Sequence, residues 1–187
     1  MMKTIALIVL IILNAELSFT QDTKLLFTNS GTITFRSESQ QELINSTSED
    51  MRGLIDPIHK TFAFKVAIRT FKGFNSALQQ EHFNEKFLES DKYPEASFIG
   101  KIIEDLDFKT DGNYEIRAKG KLWIHGKEEE RIIKSKIQIN KGKLKIESHF
   151  SVLLSDFNIK VPKVVHEKVA SEINVEIKAV MQRKSDN

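Results

Sequence analysis

The sequence predicts an all-β protein, an antiparallel barrel of about eight strands with one or two short helices. Three observations carry this. Apolar and polar residues alternate with period two in one run after another, as half-buried antiparallel strands require. Short turn sequences rich in Gly, Asn and Asp separate the runs at hairpin spacing. The runs number about eight, the count at which a closed barrel has room inside for side chains or one small ligand.

The elements follow in chain order. Residues 1–20 read as a leader: Lys3 precedes Thr4–Leu13, TIALIVLIIL, an apolar run with the length of a signal-peptide core and short for a bilayer span. The chain has no Cys, which excludes a lipoprotein anchor after this run. The expectation is a leader removed near residue 20, a barrel domain over 22–187, no transmembrane span in the mature chain, and a periplasmic or secreted location. Weaker strands are expected near 25–36, 41–48 and 61–69. In the third, Phe62, Phe64, Val66 and Ile68 share one face. Ser76 to Glu89, SALQQEHFNEKFLE, has helix-forming composition without one clean apolar stripe, and predicts a short helix or two over one end of the barrel.

Residues 96–154 read as a four-strand meander. Tyr114, Ile116, Ala118, Gly120, Leu122 and Ile124 fall on one face, with Glu115, Arg117, Lys119, Lys121 and Trp123 on the other. Leu144, Ile146, Phe150, Val152 and Leu154 turn inward in the last strand of the meander. Asp111-Gly112, His125-Gly126 and Asn140-Lys141-Gly142 divide these strands with residues that tolerate positive φ. Pro162 to Ser171 suits a short helix, with Pro in its first turn. Glu172 to Gln182 closes the set with Ile173, Val175, Ile177, Ala179 and Met181 on one face.

Polarity decides which way the barrel faces. Lys119, Lys121, Lys134, Lys136, Lys143 and Lys145 lie on the polar faces. Lys on the lipid side of a membrane barrel costs about 2–4 kcal/mol at the midplane. The polar faces therefore meet water and the apolar faces turn inward. Two interiors stay open, a packed core and a lined cavity. Small inward residues beside large ones (Ala118, Gly120, Ser135, Ala179) fit both, because tapering barrels also alternate sizes. The candidate lining is Phe62, Phe64, Phe71, Phe74, Phe83, Phe87 and Phe98, joined by inward Val66, Ile68, Leu122, Ile124, Ile137 and Phe150. Lys65, Arg69 and Lys72 offer positive charge for a ligand head at the mouth.

Other chemistries find little support. Net charge is +2, too balanced to point to nucleic acid. Without Cys there is no disulfide, thiolate catalysis or Cys-ligated zinc. His59, His82, His125, His149 and His166 show no metal-ligand spacing, and His125 reads as a turn stabiliser. No G-x-S-x-G elbow or Gly-rich phosphate loop is present. Catalytic residues, metal and cofactor are accordingly expected to be none. A homodimer is compatible with strand-end loops.

Five ordered pieces resemble the YceI-like family of exported bacterial proteins: IDPIHKTFAFKVAI, FKGFNSALQQEHF, FLESDKYPEASFIGKI, KGKLWIHGKEEE and LLSDFNIKVP. The resemblance covers about 25–183, and ESxxYPxAxFxG is its most specific element. It implies a lipocalin-like antiparallel barrel with an elongated apolar pore. The ligand it implies is a polyisoprenoid, isoprenoid quinone or similar long-chain amphipathic lipid, bound without catalysis. An envelope interaction module with a solid barrel is the alternative. Two departures fall near strand ends: KEEER follows Gly126, and Asn158 stands where Gly is common.

Overall fold

Period-two alternation sets the direction of each side chain, and the strands close on one another accordingly. A computed structural model describes residues 25–183; the expected leader lies outside the described residues. The strands are β1 (Leu26–Glu38), β2 (Leu43–Asp56), β3 (Thr61–Ala67), β4 (Glu95–Ile102), β5 (Gly112–Ile124), β6 (Lys127–Asn140), β7 (Lys143–Leu153) and β8 (Glu172–Arg183). Each pairs antiparallel with its neighbour in sequence, and β8 pairs back onto β1. Pairing is complete around one end and partial at the other, where β2 pairs β3 only over Arg52–Asp56 and β6 pairs β7 only over Ser135–Asn140. No helix among the described residues is long and apolar enough to cross a membrane.

Two elements differ from expectation. The strand expected near 41–48 continues to Asp56. Glu49 and Asp50 are both exposed, which interrupts the alternation. The β1–β2 register shifts on both sides of Gly31, and the shift restores Met51 and Ile55 to the interior. The second difference is Pro162 to Ser171, which forms only a 3-10 turn over Lys163–Val165. Val169 packs on the upper core and its amide donates to the Val165 carbonyl at 3.0 Å, but Val164 is 89% exposed and the segment is too short to propagate a helix. A backbone bond ties the end of the segment down: the Leu154 amide donates to the Ser171 carbonyl at 2.9 Å.

The predicted helix is α1 (Ala77–His82), capped by the Ser76 hydroxyl, which accepts from the Gln79 amide at 3.1 Å. It runs directly into one π-helical turn, Phe83–Phe87.

The two ends of the bore are filled differently. At the lower end, the β4–β5 loop folds Leu106 and Phe108 among Leu26, Ile55, Ile116, Ile139, Leu144 and Met181. This end is solid. The same loop is pinned by Glu104, which accepts from the Arg117 amide at 2.5 Å and from its Nε at 2.7 Å. Those bonds hold the Glu104 carboxyl below its ordinary range. At the upper end, residues 68–94 and 154–171 arch over the bore and bring in Leu88, Phe157 and Ile159.

Gly100 of β4 and Gly120 of β5 are direct partners. A Cβ on Gly100 would lie 2.1 Å from the Lys119 carbonyl oxygen, and one on Gly120 would lie 2.4 Å from that of Ile99. Both obstacles are backbone and cannot swing away, so these glycines serve close strand approach rather than open space. Gly142, at φ +76, has nothing within 4 Å. The expected outcome is that Gly100→Ala costs about 3 kcal/mol or more, while Gly142→Ala costs about 1 kcal/mol of backbone strain. Equilibrium urea unfolding of the two variants checks the order.

Candidate ligand-binding cavity

The upper half of the bore encloses a cavity of about 210 Å³. Alternation along the strands supplies its wall: Phe64 and Val66 from β3, Ala96 and Phe98 from β4, Leu122 and Ile124 from β5, Phe150 and Val152 from β7, and Ile173, Val175 and Ile177 from β8. The arch supplies its roof: Ile68, Phe71, Phe74, Phe83, Phe87 and Leu88 on one side, Ile159 and Val169 on the other. Most of the wall is hydrocarbon or aromatic. Such a surface offers a water molecule few of the two to four polar partners it needs.

Eleven of the thirteen candidate lining residues meet at this cavity: Phe64, Val66, Ile68, Phe71, Phe74, Phe83, Phe87, Phe98, Leu122, Ile124 and Phe150. Phe62 and Ile137 do not. They wall a second cavity of about 60 Å³ nearer the solid end. Ile33 and Phe35 of β1 line the upper cavity and were not among the candidates. Their signal was the inward alternation Ile33, Phe35, Ser37, set among polar neighbours in a weak strand. Phe35 is the hub of the roof. Its ring stacks on Phe83 at 5.2 Å between centroids and tilts against Phe71 at 5.5 Å and Phe74 at 5.9 Å. Such pairs contribute about 0.5–1.5 kcal/mol each beyond their area.

Buried hydroxyls fasten the arch to the barrel. Ser46 Oγ donates to the Lys72 carbonyl at 2.7 Å, and Ser48 Oγ lies 2.6 Å from Thr70 Oγ1. Ser37 Oγ accepts from the Ala170 amide at 2.9 Å. All three serines are at most 2% exposed. A buried hydroxyl left without a partner would cost about 1–3 kcal/mol.

His125 fastens the arch a second time. His125 and Gly126 make the β5–β6 turn with both residues at positive φ, 52° and 71°. The Tyr93 ring lies over Gly126, where a Cβ would come within 2.2 Å of it, and meets the His125 ring edge-on at 4.8 Å. His125 Nε2 is 2.6 Å from Glu89 Oε2, and Nδ1 is 3.0 Å from the Phe157 carbonyl oxygen. The ESxxYP stretch, the IHG turn and the DFNI segment therefore converge on one imidazole.

Of the three charged candidates, Lys65 lines the cavity and Arg69 and Lys72 do not. Lys65 pairs with Glu95 at 2.9 Å and Arg69 with Asp91 at 2.6 Å, both on the exposed surface. Lys72 is exposed. The remaining histidines lie apart: His59 on Asp56, His149 beside Glu176, His166 on the Val161 carbonyl, and His82 in solvent. Among the described residues, no three metal-ligating side chains gather.

His125→Ala should lower stability by about 1–3 kcal/mol and speed amide exchange across residues 89–94. His82→Ala, on an exposed side chain, should leave both unchanged. Thermal unfolding with hydrogen-exchange mass spectrometry checks the pair.

Residues 14–181 match the family model described as YceI-like domain. Solved structures with the same fold include a polyisoprenoid binding domain from Saccharophagus degradans implicated in plant cell wall breakdown. It is 9% identical, covers 87% of this chain and 99% of its own, and has a TM-score of 0.73. BcnA of Burkholderia cenocepacia is 14% identical, covers 81% and 95%, and has a TM-score of 0.67. A YCEI protein of Campylobacter jejuni is 17% identical, covers 76% and 86%, and has a TM-score of 0.59. No curated protein sequence matches this chain.

Proposed function

The chain belongs to the YceI-like family, and from that premise we propose that it is an exported binding protein for a long-chain amphipathic lipid. The ligand class is a polyisoprenoid, an isoprenoid quinone or a similar molecule, held in the upper bore. One observation carries the reading: a cavity of about 210 Å³ with a largely apolar wall, roofed by Phe side chains. Burying a hydrocarbon chain there gains about 25 cal/mol per Å² of apolar surface removed from water. That burial supplies affinity and discriminates weakly among chains of similar girth. No bond is made or broken, so binding asks for no acid, base or metal.

Other observations support the remaining parts. The polyisoprenoid binding domain from Saccharophagus degradans shares the fold, which favours an isoprenoid as the ligand. Lys3 and the apolar run 4–13 favour export, with the barrel domain over 22–187 as the mature protein. The ligand's polar head would stay at the roof, near Gln79 and Lys65.

Methyl NMR with geranylgeraniol as the probe tests the reading. Methyl resonances of Ile68, Ile124, Ile173 and Val175 should shift on addition, while those of Ile139 and Leu144 in the solid end stay in place. Phe83→Glu sets a carboxylate in the roof at a half-buried position, where the free protein can hydrate it. The variant should fold and bind at least tenfold more weakly, because the bound chain would strip that hydration. Absence of uptake by the wild type, or full uptake by folded Phe83→Glu, would sink the proposal.

A further inference from the structure

The upper and lower cavities share four wall residues: Phe64, Phe98, Ile133 and Ile177. These side chains form the partition between the two spaces. They come from β3, β4, β6 and β8, so they close the bore from several sides. Phe64 and Phe98 are direct partners across β3–β4. Phe62 buttresses them from below, with its ring centroid 4.9 Å from that of Phe98 and 6.0 Å from that of Phe64. Phe64 owes its position to Gly53, its partner on β2. A Cβ on Gly53 would lie 2.2 Å from Phe64 Cε1, so the ring occupies the place a side chain would take.

We propose that this partition sets the length of hydrocarbon chain the bore accepts, with Phe64 and Phe98 as the length-determining residues. The inference rests on the carrier reading and adds a specificity to it. Below the partition the lower cavity of about 60 Å³ is bounded by Ile116, Ile137 and Ile146 and by the Ser135–Ser148 hydroxyl pair, 2.7 Å apart. From Ile133 to Ile137 the strand runs four residues, about 13 Å, or about 10 Å along the axis of a tilted barrel. An extended chain advances about 1.25 Å per carbon, so the lower bore corresponds to about eight carbons. In the wild type, each added methylene should tighten binding by up to about fourfold until the chain end meets the partition. Further carbons should then add nothing.

The test is a titration with a homologous series of saturated fatty acids, read as affinity against carbon number. The wild type should show a break. Phe98→Ala should move the break to longer chains by up to about eight carbons. Phe98→Leu, which keeps more of the core, should move it the same way by less. Gly53→Ala, which displaces Phe64 toward the axis, should move it to shorter chains. General loosening of the fold would weaken every chain alike and leave the break where it is. A break at the same carbon number in the wild type and in the folded variants overturns the proposal, as does a wild-type series with no break. A wild type that binds no fatty acid and no geranylgeraniol overturns the carrier reading itself, and the partition's role with it.

Discussion

A closed bore of eight strands is filled only where side chains reach its axis from all around. Everything distinctive about this molecule follows from meeting that condition at one end and not at the other. At the lower end Leu106 and Phe108 enter from a loop and complete a ring of Ile, Leu and Met. At the upper end the loops pass over the bore instead of into it. Their Phe residues make a roof, and the space beneath keeps a volume of about 210 Å³. Hollowness here results from where the connections run and from polar inward positions on the strands at this end, Ser46 and Ser48 on β2 and Glu129 and Arg131 on β6.

The roof is held differently from the barrel. Strand ladders close the barrel, whereas apolar packing around Phe35, Leu88 and Phe157, a backbone bridge between Thr47 and Lys72, and polar contacts of Ser37, Ser46, Ser48 and His125 hold the roof. Two buried roof atoms, Asn84 Oδ1 and Ser90 Oγ, have no protein partner. Segments with fewer satisfied groups lie toward the low end of local stability.

Much of this was legible from alternation alone. Period two marks the inward face of a strand, and the inward assignments of β3, β5, β7 and β8 hold. Period two does not report depth. Phe62 and Phe64 look alike in sequence, yet two residues along the strand separate a side chain that walls only the lower cavity from one that divides the two cavities. Composition could not separate a core from a cavity, because both use the same side chains. The full length of β2 was hidden by the register shift at Gly31, which breaks alternation while the strand continues. The Pro162 to Ser171 segment stops at a 3-10 turn because so short a stretch, with one packed Val, does not repay helix nucleation. The roles of Ser37, Ser46 and Ser48 had no local signal, as their partners lie 22 to 133 residues away.

The most direct test of the central claim, that the upper bore holds a long apolar chain, is native mass spectrometry of protein purified without detergent, with an organic extract of the same sample. The account predicts one long-chain lipid or isoprenoid per chain, released only when the protein is denatured. A chain that flies at its bare polypeptide mass, gives an empty extract and takes up no added prenyl lipid would contradict it, and would leave the barrel as an interaction module.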